Sequence, residues 1–223
     1  MIKIYDFDAL VKNDYADIKK HLKSSGIIIY PTETSYGIGA NAFDNSAVEK
    51  IFALKGRDTA KPLSLLVKDL NMLLNIAVVN RREEDIISKF WPGPLTILFK
   101  SKKVSEKYLF AAGSEFIGAR VSPHPFALDL FNEIDFPITS TSANISGKDN
   151  ISDFNELNEK FLKPLSLAKK DLGINILAVD CKELAGGSST IIKIVKKNAE
   201  IIREGDNNIK KRLVCSIKNK EYS

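Results

Sequence analysis

Ser189–Glu204 reads STIIKIVKKNAEIIRE. Two runs rich in β-branched residues, 189–195 and 199–204, are separated only by Lys196, Lys197 and Asn198. Three residues are too few for a parallel crossover, which takes a dozen or more. The two runs therefore predict an antiparallel hairpin, and any sheet that holds them contains an antiparallel pair.

Working outward, short apolar runs at 26–31, 95–99, 116–121, 136–141 and 174–179 read as further strands. Helical patterns lie between them. SAVEKIFAL (46–54) opens with Ser46 and has Glu49 three residues on, the spacing of a capping box. NRREEDIISKF (80–90) repeats that spacing with Asn80 and Glu83. PFALDLFNEI (125–134) begins on a proline that suits a first helical turn. Residues 14–24 and 153–161 predict two more helices. The pattern predicts an α/β fold, a mixed parallel and antiparallel sheet flanked by helices. It spans 1–205 as one domain, followed by a basic tail at 206–223.

The chain has 223 residues, enough to bury a sizeable core. Its 44% hydrophobic and 27% charged residues are ordinary for a soluble globular protein. A net charge of +5 fits an anionic ligand such as a nucleotide, a phosphate or RNA, and solubility alone would equally account for it. Cys181 and Cys215 form no CxxC pair, which fits a reducing compartment. The N-terminal MIKIYDFDAL carries acids where a signal peptide needs an apolar run. No apolar stretch approaches the roughly 20 residues of a membrane span. The expectation is a cytoplasmic protein with no membrane contact.

Several common chemistries are absent. There is no GxxxxGK[ST] and no HExxH, and His21 and His124 are far apart in sequence. His21, in the basic IKKHLKSS, is expected on the surface. GIGANA (37–42) matches GxGxxA, but a dinucleotide site needs an acid about twenty residues on, and position 57 is Arg.

Five stretches remain. LKGRDTAKPL (54–63) gathers Lys55, Arg57 and Lys61 around Gly56 and ahead of Pro62, too broken for a regular helix. Gly56 fits a helix C-cap, and the cations beyond it fit a phosphate or a solvated loop. Thr34 follows a strand in YPTETSYGIG. Arg120 lies inside an apolar strand pattern, where it either faces solvent on an edge or pairs with an anion inside. His124, just before a helix, reads as a cap or packing residue. In STSANISG, Ser142 and Asn144 are two apart and so point the same way from an extended backbone, as hydrogen-bond donors for a carboxylate or phosphate. GGSST leads through Ser188 and Ser189 into the hairpin that ends at Arg203. Each stretch has a bland reading as a turn or a polar loop. Together they describe a site for a polyanion and a small polar molecule, with no evident nucleophile or metal cage.

Six ordered motifs, PTETSYGIGANA, KGRDTAKPLSLL, WPGPLT, ARVSPHP, STSANISG and SSTIIKI…IIREG, resemble the YrdC family over residues 15–205, its bacterial threonylcarbamoyl-AMP synthases most closely. The KxR…SxN signature stands as Lys55–Arg57 and Ser142–Asn144. The resemblance implies a twisted sheet with a basic concave face. It implies the reaction of L-threonine, bicarbonate or CO2, and ATP with its Mg2+, giving L-threonylcarbamoyl-AMP and pyrophosphate. The product would pass to a tRNA threonylcarbamoyl transferase complex for t6A at adenosine 37. Thr34, Arg120, Ser142 and Ser189 would contact threonine or its carbamate. Lys55, Arg57, Lys61, Asn144, Ser152 and Arg203 would contact the nucleotide, with Lys55 and Arg57 catalytic and no protein metal ligand. The chain departs from the family's common pattern at Pro123, Lys193 and Leu66, none of them an expected core ligand. The alternative is a double-stranded RNA-binding module on the same basic face, for which interleaved stacking aromatics are missing.

Overall fold

The computed structural model describes residues 2–103, 106–168, 174–196, 198–206, 208–209 and 211–213. The chain runs β1 (Ile2–Asp6), α1 (Lys12–Lys23), β2 (Ile27–Tyr30), β3 (Gly37–Gly39), α2 (Asn45–Lys55), β4 (Ser64–Leu66) and α3 (Leu70–Leu74). It continues through β5 (Ala77–Val78), α4 (Arg81–Phe90), β6 (Leu95–Ser101), β7 (Phe116–Arg120), α5 (Pro125–Glu133) and β8 (Ile138–Ser142). A helical stretch follows as α6 (Phe154–Leu157), one π turn (Asn158–Leu162) and α7 (Lys163–Ala168), and then β9 (Ile176–Asp180), β10 (Thr190–Val195) and β11 (Asn198–Arg203).

Helix starts follow local chemistry, with one correction. At α4, Asn80 Oδ1 accepts from Arg82 N and Glu83 N, each at 3.0 Å, and Glu83 Oε2 accepts from Asn80 N at 2.8 Å. At α5, Pro125 is the first helical residue and the His124 ring accepts from Phe126 N. The expected cap of α2 at Ser46 is wrong. Asp44 caps it, accepting from Ala47 N at 3.1 Å while its other oxygen accepts from Ser25 Oγ at 2.6 Å. A carboxylate pinned from the preceding turn reaches the free N–H groups first, and Ser46 falls inside the first turn. At the other end Gly56 takes φ +57°, the left-handed cap its sequence suggested. His21 is also corrected. It is half-buried, with Nε2 2.9 Å from Ile27 O, and Gly26 packs so closely on its ring that a Cβ there would lie 2.3 Å from Nε2.

The strands form one sheet in the order β1-β9-β2-β3-β8-β4-β7-β6-β10-β11, with β5 on β6. β10 and β11 are antiparallel, as their short connection requires, while β10 runs parallel to β6 and β9 parallel to both β1 and β2. Four strands were not evident in the sequence: β1, β3, β4 and β5. The last three are only two or three residues long. β3 is the GIG of GIGANA, and a Cβ on Gly39 would meet Thr139 O at 2.6 Å. These glycines let three strands close together, and no strand–loop–helix phosphate turn forms there.

The two faces carry separate cores. On one, Val48, Ile51 and Phe52 of α2 and Ile86 and Phe90 of α4 pack on Ile29, Ile38, Leu65, Ile97 and Ala119. On the other, Ile18 and Leu22 of α1 and Phe126 and Leu130 of α5 pack on Ile28, Tyr30, Leu66 and Ile138. Each such side chain contributes about 1.5–3 kcal/mol of burial. Beyond Gly205, Ile209 and Leu213 are buried in the first core, so the described part of the tail closes over the domain. No helix among the described residues is long and apolar enough to cross a membrane.

Candidate functional site

The cover of α1 and α5 ends before the strands do. Leu66 and Ile138, under those helices, are register partners, and so are Ser64 and Ser140 two residues along on the same face. Ser142 is opposite Gly37. Arg120 is opposite Leu66 on the other neighbour. Where the helices stop, this face therefore changes from large apolar groups to serines, a glycine and an arginine. These residues floor a cavity of about 200 Å³, with Thr34, Thr96, Ser189, Arg57 and Arg203 around it.

Arg120 is inside. It is buried and makes an ion pair with Glu33, whose other oxygen accepts from Ser122 Oγ. Its other arm lies 3.5 Å from Ser140 Oγ. The anion that an inward strand Arg must find thus comes from the TET of the first motif. Thr32 folds that motif, with Oγ1 donating to Ser35 O at 2.7 Å and accepting from Ser35 N at 3.3 Å.

Arg57 and Arg203 have no such partner. Arg57 donates to Pro62 O at 2.9 Å and Lys61 O at 3.4 Å. Arg203 donates to Ser189 O at 2.8 Å and Ser189 Oγ at 3.0 Å. Among the described residues neither makes an ion pair with a carboxylate. Both have lowered pKa values, chiefly from burial. Arg203 is lowered further by the charges of Arg120 and Arg57. The cavity is thus flanked by two guanidinium groups, Arg57 half-buried with Asp58 acting on it and Arg203 more exposed, and neither is ion-paired to a carboxylate among the described residues, so an anion there would meet both.

Six of the ten expected site residues line this cavity: Thr34, Arg57, Arg120, Ser142, Ser189 and Arg203. Four do not. Lys55 is buried with its ammonium on Ser142 O, Asn144 O and Asn144 Oδ1. Asn144 is buried behind Ser142, and its amide nitrogen donates to the carbonyls of Lys148 and Asp149. Lys61 is exposed at the end of its turn. Ser152 is half-buried, and its carbonyl accepts from Leu184 N at 2.9 Å. Ser140, within the expected STSAN run, lines the cavity too, and Ser64, Thr96 and Asn150 also line it and were missed. For Ser64 and Thr96 a signal was present, a hydroxyl breaking the apolar pattern of PLSLL and PLTILF. A second cavity, of about 410 Å³, lies against Phe52, Tyr108 and Leu109 and holds none of the expected residues.

The sequence profile of the Sua5_yciO_yrdC family, described as "Telomere recombination", matches residues 20–205. The chain belongs to this family. A Methanocaldococcus jannaschii protein provisionally named threonylcarbamoyl-AMP synthase is 37% identical over 96% of this chain and 97% of its own length. A Bacillus subtilis threonylcarbamoyl-AMP synthase is 36% identical, but the match covers 63% of this chain and 42% of that protein. The solved structure of Pyrococcus abyssi Sua5 complexed with L-threonine superposes with a TM-score of 0.79 at 27% identity, over 95% of this chain and 60% of that one. Escherichia coli YciO shares the fold, with a TM-score of 0.75 at 22% identity. The six motifs meet at the cavity: PTET and STSAN bring Thr34 and Ser142, KGR brings Arg57 to the rim, WPGPLT brings Thr96, ARVSPHP brings Arg120 with its partner Glu33 behind it, and the hairpin brings Ser189 and Arg203.

Proposed function

We propose that this protein is an L-threonylcarbamoyl-AMP synthase, joining L-threonine, bicarbonate or CO2, and ATP into L-threonylcarbamoyl-AMP with release of pyrophosphate, for t6A synthesis at position 37 of tRNA. The observation that carries the reading is the pair Arg57 and Arg203 at the rim of a hydroxyl-lined cavity, each held by carbonyl or hydroxyl oxygens and, among the described residues, in no ion pair. Family membership and the named relatives support it. The double-stranded RNA reading is not favoured, since the polar groups converge in a concave cavity and not along a strip that would follow a duplex.

In this reading the threonine nitrogen adds to CO2, losing a proton and becoming a carbamate. A carbamate oxygen then attacks the α-phosphorus of ATP, and the bond from that phosphorus to pyrophosphate breaks. Such a transfer needs alignment and charge neutralisation more than a protein nucleophile. Arg57 offers a planar fork to phosphate oxygens, with Arg203 and Lys61 adding charge, while Mg2+ arrives on the nucleotide as part of the substrate. Thr34, Arg120, Ser142 and Ser189 face the amino acid. The same reading carries cytoplasmic location and handover of the labile adenylate to a transferase complex.

The test is pyrophosphate release from ATP and Mg2+ with threonine and bicarbonate omitted in turn. Release is expected only with both present. Equal turnover without threonine overturns the proposal.

A further inference from the structure

Lys55 lies 1% exposed and is not among the residues that line the cavity. Its acceptors are the Ser142 carbonyl, the Asn144 carbonyl at 2.7 Å and Asn144 Oδ1 at 2.9 Å. Among the described residues no carboxylate makes an ion pair with Lys55. Three acceptors match the three N–H bonds of an ammonium, whereas a neutral amine would aim its lone pair at one of them. Burial pulls the pKa of Lys55 down to about 7, with a smaller contribution from Arg57. The oxygen cage works against that trend and favours the charged form.

The orientation of Asn144 follows from its neighbours. On one side its amide meets the carbonyls of Lys148 and Asp149, which only accept. On the other it meets the Lys55 ammonium, which only donates. A flipped amide would set like groups against each other at both ends, so nitrogen faces the carbonyls and Oδ1 faces Lys55. Ser142 Oγ lies 2.7 Å from that same Oδ1 and must donate its hydrogen to it. Ser142 lines the cavity. What it presents there is its lone pairs.

We propose that Lys55 is a positioning residue: through Asn144 it makes Ser142 a hydrogen-bond acceptor, which selects an N–H or O–H of the amino acid in the cavity, and it does not grip the triphosphate itself. The inference rests on the cavity being the threonine site. It reverses the expectation that the STSAN hydroxyls act as donors to an anion, at least at Ser142. A carboxylate or phosphate oxygen set against Ser142 would meet lone pair with lone pair. The amine or the hydroxyl of threonine has the matching polarity, and its carboxylate must lie elsewhere in the cavity. A lysine suits this task because an ammonium has no acceptor character, so it opposes a flipped Asn144 from one side while the Lys148 and Asp149 carbonyls oppose it from the other, and it holds Oδ1 where Ser142 donates.

The experiment measures the dissociation constants of threonine and of ATP separately, by titration calorimetry, for the wild type, Lys55→Met and Lys55→Ala. Losing one charge-assisted hydrogen bond should weaken threonine by about tenfold or more, with ATP nearly unchanged. Propylammonium, which replaces the missing part of the side chain and its N–H donors, should restore threonine binding to Lys55→Ala, and tetramethylammonium, which has no N–H, should not. Loss of ATP affinity with threonine affinity kept would make Lys55 a phosphate ligand and overturn the proposal, as would both affinities staying at wild-type values. If the Lys55 variants melt too low to assay, Ser142→Ala decides: weaker threonine with ATP unchanged supports the acceptor role, and wild-type threonine binding overturns it. A wild type that binds ATP but not threonine sinks the threonine site instead. Amide hydrogen exchange across residues 142–149 then judges the strut alone, with faster exchange in Lys55→Met expected and unchanged exchange overturning it.

Discussion

Glu33→Ala should unfold this protein far more readily than its place in a loop suggests. The Glu33 and Arg120 side chains are 12% and 8% exposed, and Glu33 also accepts from Ser122 Oγ. Removing the carboxylate leaves the guanidinium buried, with Ser140 Oγ at 3.5 Å as the remaining side-chain contact shown for it. Breaking a buried pair by deleting one partner costs about 3–5 kcal/mol. A domain has about 5–15 kcal/mol in total, so the single change removes a large fraction. Glu33→Leu with Arg120→Met removes both charges and both desolvation costs. It should lie much closer to wild type in stability, with a coupling energy of about 2 kcal/mol or more, while losing its activity along with Arg120. Urea unfolding of wild type, Glu33→Leu, Arg120→Met and the double variant, with m held constant, measures the cycle. Moderate salt should change it little, because the pair is shielded from solvent. A Glu33→Ala midpoint equal to wild type, or strictly additive single changes, would refute the reasoning and return Arg120 to a solvated role.

Arg57→Lys keeps the charge but loses the fork, so kcat/KM for ATP should fall about tenfold to a hundredfold with Tm unchanged; wild-type kinetics would remove Arg57 from the phosphate site. Threonine should be preferred over 2-aminobutyrate by on the order of a hundredfold in kcat/KM, because a site that pairs the hydroxyl leaves its own polar groups unmatched without it; comparable values would contradict this. His21 and His124 both have pKa values lowered below 6.5, mainly by burial. The folded state then binds fewer protons than the unfolded state, so stability is full above pH 6.5 and falls as pH drops through the folded values. His124→Asn keeps an N-cap for α5 but removes one titration, and urea midpoints should fall less steeply as pH drops below 6.5. Asn80→Ala should cost about 1 kcal/mol through the lost cap, read as a shift in urea midpoint.

The parts of this protein legible in the sequence are those whose causes are local. A connection too short for a crossover forces β10 and β11 to be antiparallel, Asn80 with Glu83 caps α4 through contacts three residues apart, and Pro125 starts α5 because its ring suits the first turn. Five of the expected cavity residues were visible because a cation or hydroxyl inside an apolar strand, or at its end, needs a partner, and Arg57 because cations gather on a loop just past the Gly56 cap. What tertiary structure alone decided involves groups distant in the chain. β3 and β4 are strands because longer neighbours clamp them, and three residues carry too little periodicity to announce it. Asp44 outcompetes Ser46 because Ser25, nineteen residues upstream, holds its carboxylate. Glu33 reads as a turn residue until folding sets it against Arg120, 87 residues on. Lys55, in the last turn of a helix, reads as a cation bound for solvent or phosphate. Only the loop at 142–144, brought back from 87 residues downstream, turns it into a buried ammonium among carbonyls. Local propensity acts between neighbours in the chain, whereas the pairing of a buried charge depends on which distant oxygens the fold delivers to it.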